Sequence, residues 1–238
     1  MREHRVRALL MGGQACVLYG AAQFSRDTDL AILADAANLR RLRAALADLD
    51  AVEIAVPPCE LRFLRRGHAV HFRCRHPEAV RMRIDVMAKM RGVDAFAKLW
   101  KRRVSIEVPR GGTVDVLDLP DLVAAKKTQR DKDWPMIGRL VEANYFGNRG
   151  DATPARVRFW LREMRSAELL TEVASRFPRE CRRAVKDRAL LRHAMDGNGA
   201  ALARELRDEE MQERERDRRH WLPLKAELEA LRAKRRVR

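Results

Sequence analysis

Asp27 and Asp29 stand two residues apart at the head of the apolar run 30–33, and this pair constrains the chain more than any other feature. In a strand, alternate side chains share a face. The two carboxylates therefore point the same way, about 7 Å apart along the backbone, with Ser25 on the same side. Like charges so placed disfavour each other's ionisation unless a cation lies between them, and hard carboxylate oxygens suit Mg²⁺. Upstream, the apolar run 8–11 ends on Gly12-Gly13. A glycine pair opening a short helix lets a phosphate come close to the backbone, with N–H groups facing it. Together the two features ask for Mg²⁺ and phosphate.

A third carboxylate would complete such a site. Asp85 sits among Ile84, Val86 and Met87, in the middle of a strand pattern, where an aspartate needs a partner. Asp115 is the rival; it follows a glycine turn and suits a wet edge, so Asp85 is preferred. Further on, Lys126, Lys127 and Arg130 gather positive charge on a helix that begins at Pro120-Asp121. Such a cluster serves either a triphosphate or a solvated helix face. If Leu122 and Val123 face the core, Lys126 is the lysine drawn toward the sheet. His68 and His71 read as ordinary core or surface histidines, Trp134 and Trp160 as packing residues, and Cys16 as a buried thiol.

With 238 residues, 46% of them hydrophobic, the chain can build one domain, or one domain plus a helical appendage. The net charge of +16 suits a polyanion such as RNA, DNA or nucleotide phosphates. Arginine outnumbers lysine 41 to 9; such an excess also follows from codon bias, so charge alone does not select nucleic acid. Cys16, Cys59, Cys74 and Cys181 lie far apart, in no zinc spacing and no disulfide framework. A reducing cytosol fits them, and a cytoplasmic location is expected. Arg2, Arg5 and Arg7 before an apolar stretch loosely mimic a signal peptide, but Gly12-Gly13-Gln14 interrupts it. No run reaches the roughly 18 apolar residues of a membrane span, so no membrane partner is expected.

Strand patterns cover 6–11, 29–33, 52–56, 69–74 and 83–87. Segments 104–108 and 113–117 flank the turn Pro109-Arg110-Gly111-Gly112 and predict a hairpin. Helices are expected at 14–19, 36–49, 94–100 and from 120. This irregular alternation predicts an α+β fold with a mixed sheet and flanking helices. After 147–150 the pattern becomes all-helical. Thr153-Pro154 reads as an N-cap and first-turn proline, and Pro178, Gly197, Gly199 and Pro223 divide the rest into helices. Two regions are expected, 1–147 and 151–238.

Gly-Gly, a spacer of about a dozen residues, Asp-x-Asp and a later strand aspartate resemble, in this order, the nucleotidyltransferase superfamily with the polymerase-β type fold. The likeness is closest to small bacterial nucleotidyltransferases, including abortive-infection type toxins. It rests on Leu10-Met11-Gly12-Gly13, Asp27-Thr28-Asp29-Leu30, Asp85, Asp121-Leu122, Lys126-Lys127 and Arg130-Asp131-Lys132-Asp133, within residues 6–145. Thr28 replaces the usual aliphatic residue, and Gln23 stands where many relatives carry arginine. The resemblance implies a nucleotidyltransferase-like sheet and transfer of a nucleoside monophosphate from ATP or another NTP to an acceptor hydroxyl, with release of pyrophosphate. It further implies one or two Mg²⁺ ions on Asp27, Asp29 and Asp85, with Asp85 also helping to remove the acceptor proton. Gly12, Gly13, Ser25, Lys126, Lys127 and Arg130 would hold the nucleotide. The acceptor is RNA, protein or a small molecule, and an antitoxin-type partner is in keeping with the toxin branch. The alternatives are a non-catalytic nucleic-acid-binding protein with a degenerate site, and one half of a toxin–antitoxin pair.

Overall fold

The computed structural model describes residues 1–109 and 111–236. In chain order the elements are β1 (Ala8–Met11), α1 (Gly12–Leu18), β2 (Asp27–Ile32), α2 (Ala36–Ala47), β3 (Val52–Glu53), α3 (Leu61–Arg66), β4 (Val70–Arg73), β5 (Arg83–Met87), α4 (Phe96–Arg102), β6 (Val104–Val108), β7 (Gly112–Val116) and α5 (Leu119–Ala125). Helices follow: α6 (Asp133–Asn148), α7 (Pro154–Glu163), α8 (Ala167–Arg176), α9 (Pro178–Ala184), α10 (Leu191–Met195) and α11 (Gly199–Arg236). The fold is α+β, with a mostly helical C-terminal half.

The seven strands form one sheet in the order β3-β4-β5-β2-β1-β7-β6. It is mixed: β2 runs parallel to β5 and β1 to β7, and the other neighbours are antiparallel. Alternation explains the strands near the Asp27–Asp29 pair. Val70 and Phe72, Ile84 and Val86, and Leu30 and Ile32 are buried, while His71, Arg83 and Asp85 alternate with them. The hairpin β6–β7 forms as expected, with Val108 opposite Gly112; Arg110 of its turn lies outside the described residues. Asp35 caps α2 by accepting from Asn38 N–H at 2.6 Å, and the Asn38 side chain ties the helix to the backbone beside it. It donates to the carbonyls of Arg7 (3.0 Å) and Leu33 (2.9 Å) and accepts from Arg7 N–H at 2.7 Å.

The chain divides into two compact units, and not at 147–151. The first holds 1–18, 22–125 and 219–238, and the second 19–21 and 126–218. Helix α6 therefore belongs to the helical unit, while the last part of α11 belongs with the sheet. One tie within the first unit is Glu227, which accepts from Arg66 at 2.7 Å and pairs with buried His68 at 2.8 Å. Those two bonds, the His68 one foremost, hold the Glu227 carboxyl below its usual range. Pro223 does not break α11, which runs through it; proline removes one N–H and crowds one carbonyl, and a 38-residue helix absorbs that loss.

In the helical unit, Thr153 caps α7 by accepting from Arg156 N–H at 3.3 Å, with Pro154 in the first turn. Trp160 is fully buried, donates to Asn144 Oδ1 at 2.8 Å, and meets Tyr145 edge-on at 5.1 Å. Trp134 donates to the Thr128 carbonyl at 2.8 Å. Both tryptophans pack in the core. No helix among the described residues is long and apolar enough to cross a membrane.

Candidate functional site

The acidic pair lies where β2 meets β5. Strand β2 begins at Asp27, two residues earlier than the apolar run suggests, because β5 pairs with it from Asp27 onward. Asp29 stands opposite Asp85, and Asp27 opposite Arg83. On the far side of β5, Asp85 stands opposite His71 and Arg83 opposite Arg73. In-register residues of neighbouring strands share a face. One face therefore carries Asp27, Asp29, Asp85, Arg83, His71 and Arg73. Asp115 is not among them. It lies on β7, separated from β2 by β1, and is engaged by Ser105 at 2.6 Å and Arg103 at 3.1 Å.

The glycine pair closes on this face. Gly12 follows β1 directly and has φ +68°, a conformation that favours glycine. A Cβ at Gly12 would lie 1.8 Å from Asp29 Oδ2, and one at Gly13 would lie 2.3 Å from Ser25 Oγ. The Gly13 N–H donates to Asp29 Oδ2 at 3.4 Å, and Ser25 Oγ donates to the Asp27 carbonyl at 3.3 Å. Gly12, Gly13, Ser25, Asp27, Asp29 and Asp85 thus come together. Cys16 is buried behind them, its thiol donating to the Gly12 carbonyl at 3.1 Å.

Asp85 is held by two neighbours. Its Oδ1 accepts from Arg83 Nε at 2.8 Å and lies 2.8 Å from His71 Nδ1. Arg83 Nη2 is 3.1 Å from the same ring nitrogen. With Nδ1 protonated the ring donates to Asp85; in the other tautomer it accepts from Arg83. Burial opposes ionisation of Asp85, but the bonds and charges of His71 and Arg83 outweigh it and hold the carboxyl below its usual range. The hydrogen bond to Asp85, helped by the charges of Asp85, Asp27 and Asp29, pushes Arg83 above its ordinary value.

Arg83 and His71 stand on the acidic face beside the residues expected from the sequence. The signal for Arg83 was present: it lies two residues before Asp85 on one strand, so the two share a face. His71 is found only through the β4–β5 register, which no local pattern reveals.

The basic cluster is placed differently from expectation. Helix α5 stops at Ala125, so Lys126, Lys127 and Arg130 lie on the loop before α6, in the helical unit. The loop is set by its own polar bonds. Thr128 Oγ1 donates to Asp133 at 2.6 Å and accepts from Arg130 N–H at 3.1 Å. Each cation has a carboxylate partner within that unit. Lys126 pairs with Asp133 at 3.4 Å, Arg130 with Asp133 at 2.7 Å, and Lys127 with Glu163 at 2.7 Å. Asp133 is buried, which opposes its ionisation, yet Thr128, Lys126 and Arg130 hold its carboxyl below the usual range. Lys126 is itself buried, so its role as placed is to neutralise Asp133.

The donor set on the sheet suits Mg²⁺: three carboxylates from adjacent strands on one face, with Gly12 leaving the space that Asp29 fills. As the side chains stand, no group of three His, Cys, Asp or Glu among the described residues is gathered closely enough to hold a metal. Asp85 is bonded to Arg83 and His71 instead. No protein-family model matches the chain, and a search of curated proteins finds no relative.

Proposed function

We propose that the protein is a Mg²⁺-dependent nucleotidyltransferase of the polymerase-β type, which moves a nucleoside monophosphate from an NTP to an acceptor hydroxyl and releases pyrophosphate. The observation that carries the reading is the placement of Asp27, Asp29 and Asp85 on one sheet face, with Gly12-Gly13 against Asp29 and Ser25. Those three carboxylates would hold the metal. When bound, it would neutralise triphosphate charge and acidify a coordinated hydroxyl. Gly12 gives Asp29 its place by lacking a Cβ, and Gly13 gives Ser25 its place in the same way. Asp85 would complete the metal site and help to remove the acceptor proton.

RNA is the favoured acceptor. Phe24 is 72% exposed three residues before Asp27, and the neighbouring Arg26 and, on β4, Arg73 are exposed as well. An exposed aromatic ring and exposed guanidinium groups around the acidic face suit a base and its phosphates. The test is incubation with each labelled NTP, Mg²⁺ and either total RNA or total protein. Label is expected in RNA, and Asp27→Asn should remove it. Absence of label from both pools with all four nucleotides would refute the reading.

The second reading is a nucleic-acid-binding protein that does not turn over NTP. The bonds of Asp85 to Arg83 and His71, together with the net charge of +16, favour it. Salt-sensitive RNA binding without metal-dependent transfer would establish it.

A further inference from the structure

We infer that Arg83 is a resident counter-cation of the carboxylate face, which keeps divalent-cation affinity low until a polyphosphate adds its own negative charge. The inference rests on the metal-dependent reading above and deepens it into a rule for the order of binding.

Three observations carry it. Arg83 and Asp85 alternate on β5, and Arg83 pairs in register with Asp27, so the guanidinium stands within the acidic face. Its Nε donates to Asp85 Oδ1 at 2.8 Å, and the charges of Asp27 and Asp29 act on it too. On its other flank Arg83 stands opposite Arg73, and like charges across strands repel. Arg83 is thus drawn to the carboxylates from one side and pushed toward them from the other.

The consequence is electrostatic. Arginine does not lose its proton at any ordinary pH, so the site always holds this positive charge. A divalent cation entering the face meets a fixed guanidinium within hydrogen-bond reach of one of its ligands, and the repulsion lowers its affinity. A nucleoside triphosphate brings several negative charges and offsets that repulsion. Metal and nucleotide are therefore coupled, and coupling is reciprocal.

The experiment measures free Mn²⁺ by electron paramagnetic resonance on the full chain, with and without a non-hydrolysable NTP analogue. The wild type is expected to bind Mn²⁺ weakly alone and at least about tenfold more tightly with the analogue. Arg83→Gln should bind Mn²⁺ alone about tenfold more tightly than the wild type, and its gain from the analogue should shrink by a similar factor. Arg83→Lys keeps the charge and loses the planar fork; it should stay within about threefold of the wild type in both states. If Arg83→Gln binds Mn²⁺ no better than the wild type, or Arg83→Lys binds it markedly less well, Arg83 only positions Asp85 and the inference fails. Should Arg83→Gln not fold, the Arg83→Lys result decides alone. Asp27→Asn separates the two levels of the claim. Wild-type Mn²⁺ binding that this substitution removes keeps the metal reading even where the Arg83 result is negative. No Mn²⁺ binding in any form, with or without the analogue, overturns both.

Discussion

In the helical unit, Glu209 lies between Arg165 and Arg188, at 2.5 and 2.7 Å. The same guanidinium groups also donate to the carbonyls of Leu206, Leu161 and Met164. On the sheet, Asp27, Asp29 and Asp85 stand along and across two strands, like charge beside like charge, with Arg83 among them. The first cluster alternates sign and ties three main-chain oxygens, so its charges serve the fold. The second sets three carboxylates side by side on one face, a crowding of like charge that Arg83 and His71 relieve at Asp85 and that favours a further cation. Where a chain tolerates that crowding, the residues involved are the first candidates for chemistry.

The widest separation between the two regions should come from neutralising one acid in each. Asp27→Asn or Asp85→Asn should lower nucleotidyl transfer by about a thousandfold or more. For Asp27→Asn, thermal stability measured without divalent cation should stay level or rise, since a like charge is removed. Transfer near the wild-type rate in both variants would break the comparison at its root.

Glu209→Gln should do the opposite, leaving two largely buried guanidinium groups facing a neutral amide. Removing one member of a buried ion cluster costs about 3 kcal/mol; Glu209 keeps a third of its side chain exposed, so about 2 kcal/mol is expected in urea unfolding. The acid side sharpens the point. Burial opposes the charge on Glu209, but Arg188 and Arg165 outweigh it and hold the carboxyl below its usual range. A depressed carboxylate contributes stability above its ordinary value of about 4.3 and loses it as pH falls through the lower folded value. That acid-side loss should be smaller in Glu209→Gln than in the wild type.

Lys126 tests whether the basic loop belongs with the structural or the chemical region. Lys126→Ala should cost about 1–2 kcal/mol, because Asp133 is 2% exposed and loses a cation. Arg130→Ala should cost less than about 1 kcal/mol, its side chain being 59% exposed. A fall in NTP affinity with unchanged stability in Lys126→Ala would instead move the lysine to the chemical side.

What the sequence disclosed follows the range of the forces involved. Strand β5 was legible to the residue because Arg-Ile-Asp-Val-Met alternates, and the β6–β7 hairpin because glycines mark its turn. The glycine pair and both aspartates were visible as candidates; that Asp29 packs against Gly12 needed the fold. Helix α3 was missed, since Pro57-Pro58 upstream and only six residues leave little periodicity. The helix drawn through Lys126 was too long, because the stop comes from Thr128 and Asp133, a side-chain turn rather than a glycine or proline. The return of the end of α11 to the sheet unit includes the Glu227–His68 pair, 159 positions apart, and no local pattern encodes such a pair.

The last effect lies within the sheet unit, at acids that belong to neither cluster. Asp118 accepts from Asp121 N–H at 3.0 Å at the start of α5, while Asp121 receives Arg102 through two bonds of 2.6 and 2.7 Å. Arg102 serves Asp121 and stands 4.0 Å from Asp118. Burial first, and then the hydrogen bond shared with Asp121, push the Asp118 carboxyl up to about 6. The sign is therefore the reverse of Glu209. Between about 4 and 6 the folded protein holds a proton that the unfolded chain releases, so Asp118 lowers stability as pH rises through that window. Asp118→Asn keeps an oxygen for the Asp121 N–H and offers an amide donor to the Asp121 carboxylate, without the charge. It should leave stability unchanged near pH 4 and raise it by about 1 kcal/mol at pH 7, read from urea unfolding at the two pH values. Equal stability of variant and wild type at both would mean that Arg102 neutralises Asp118 as fully as it does Asp121, and that acids outside the β2–β5 face carry no stored repulsion.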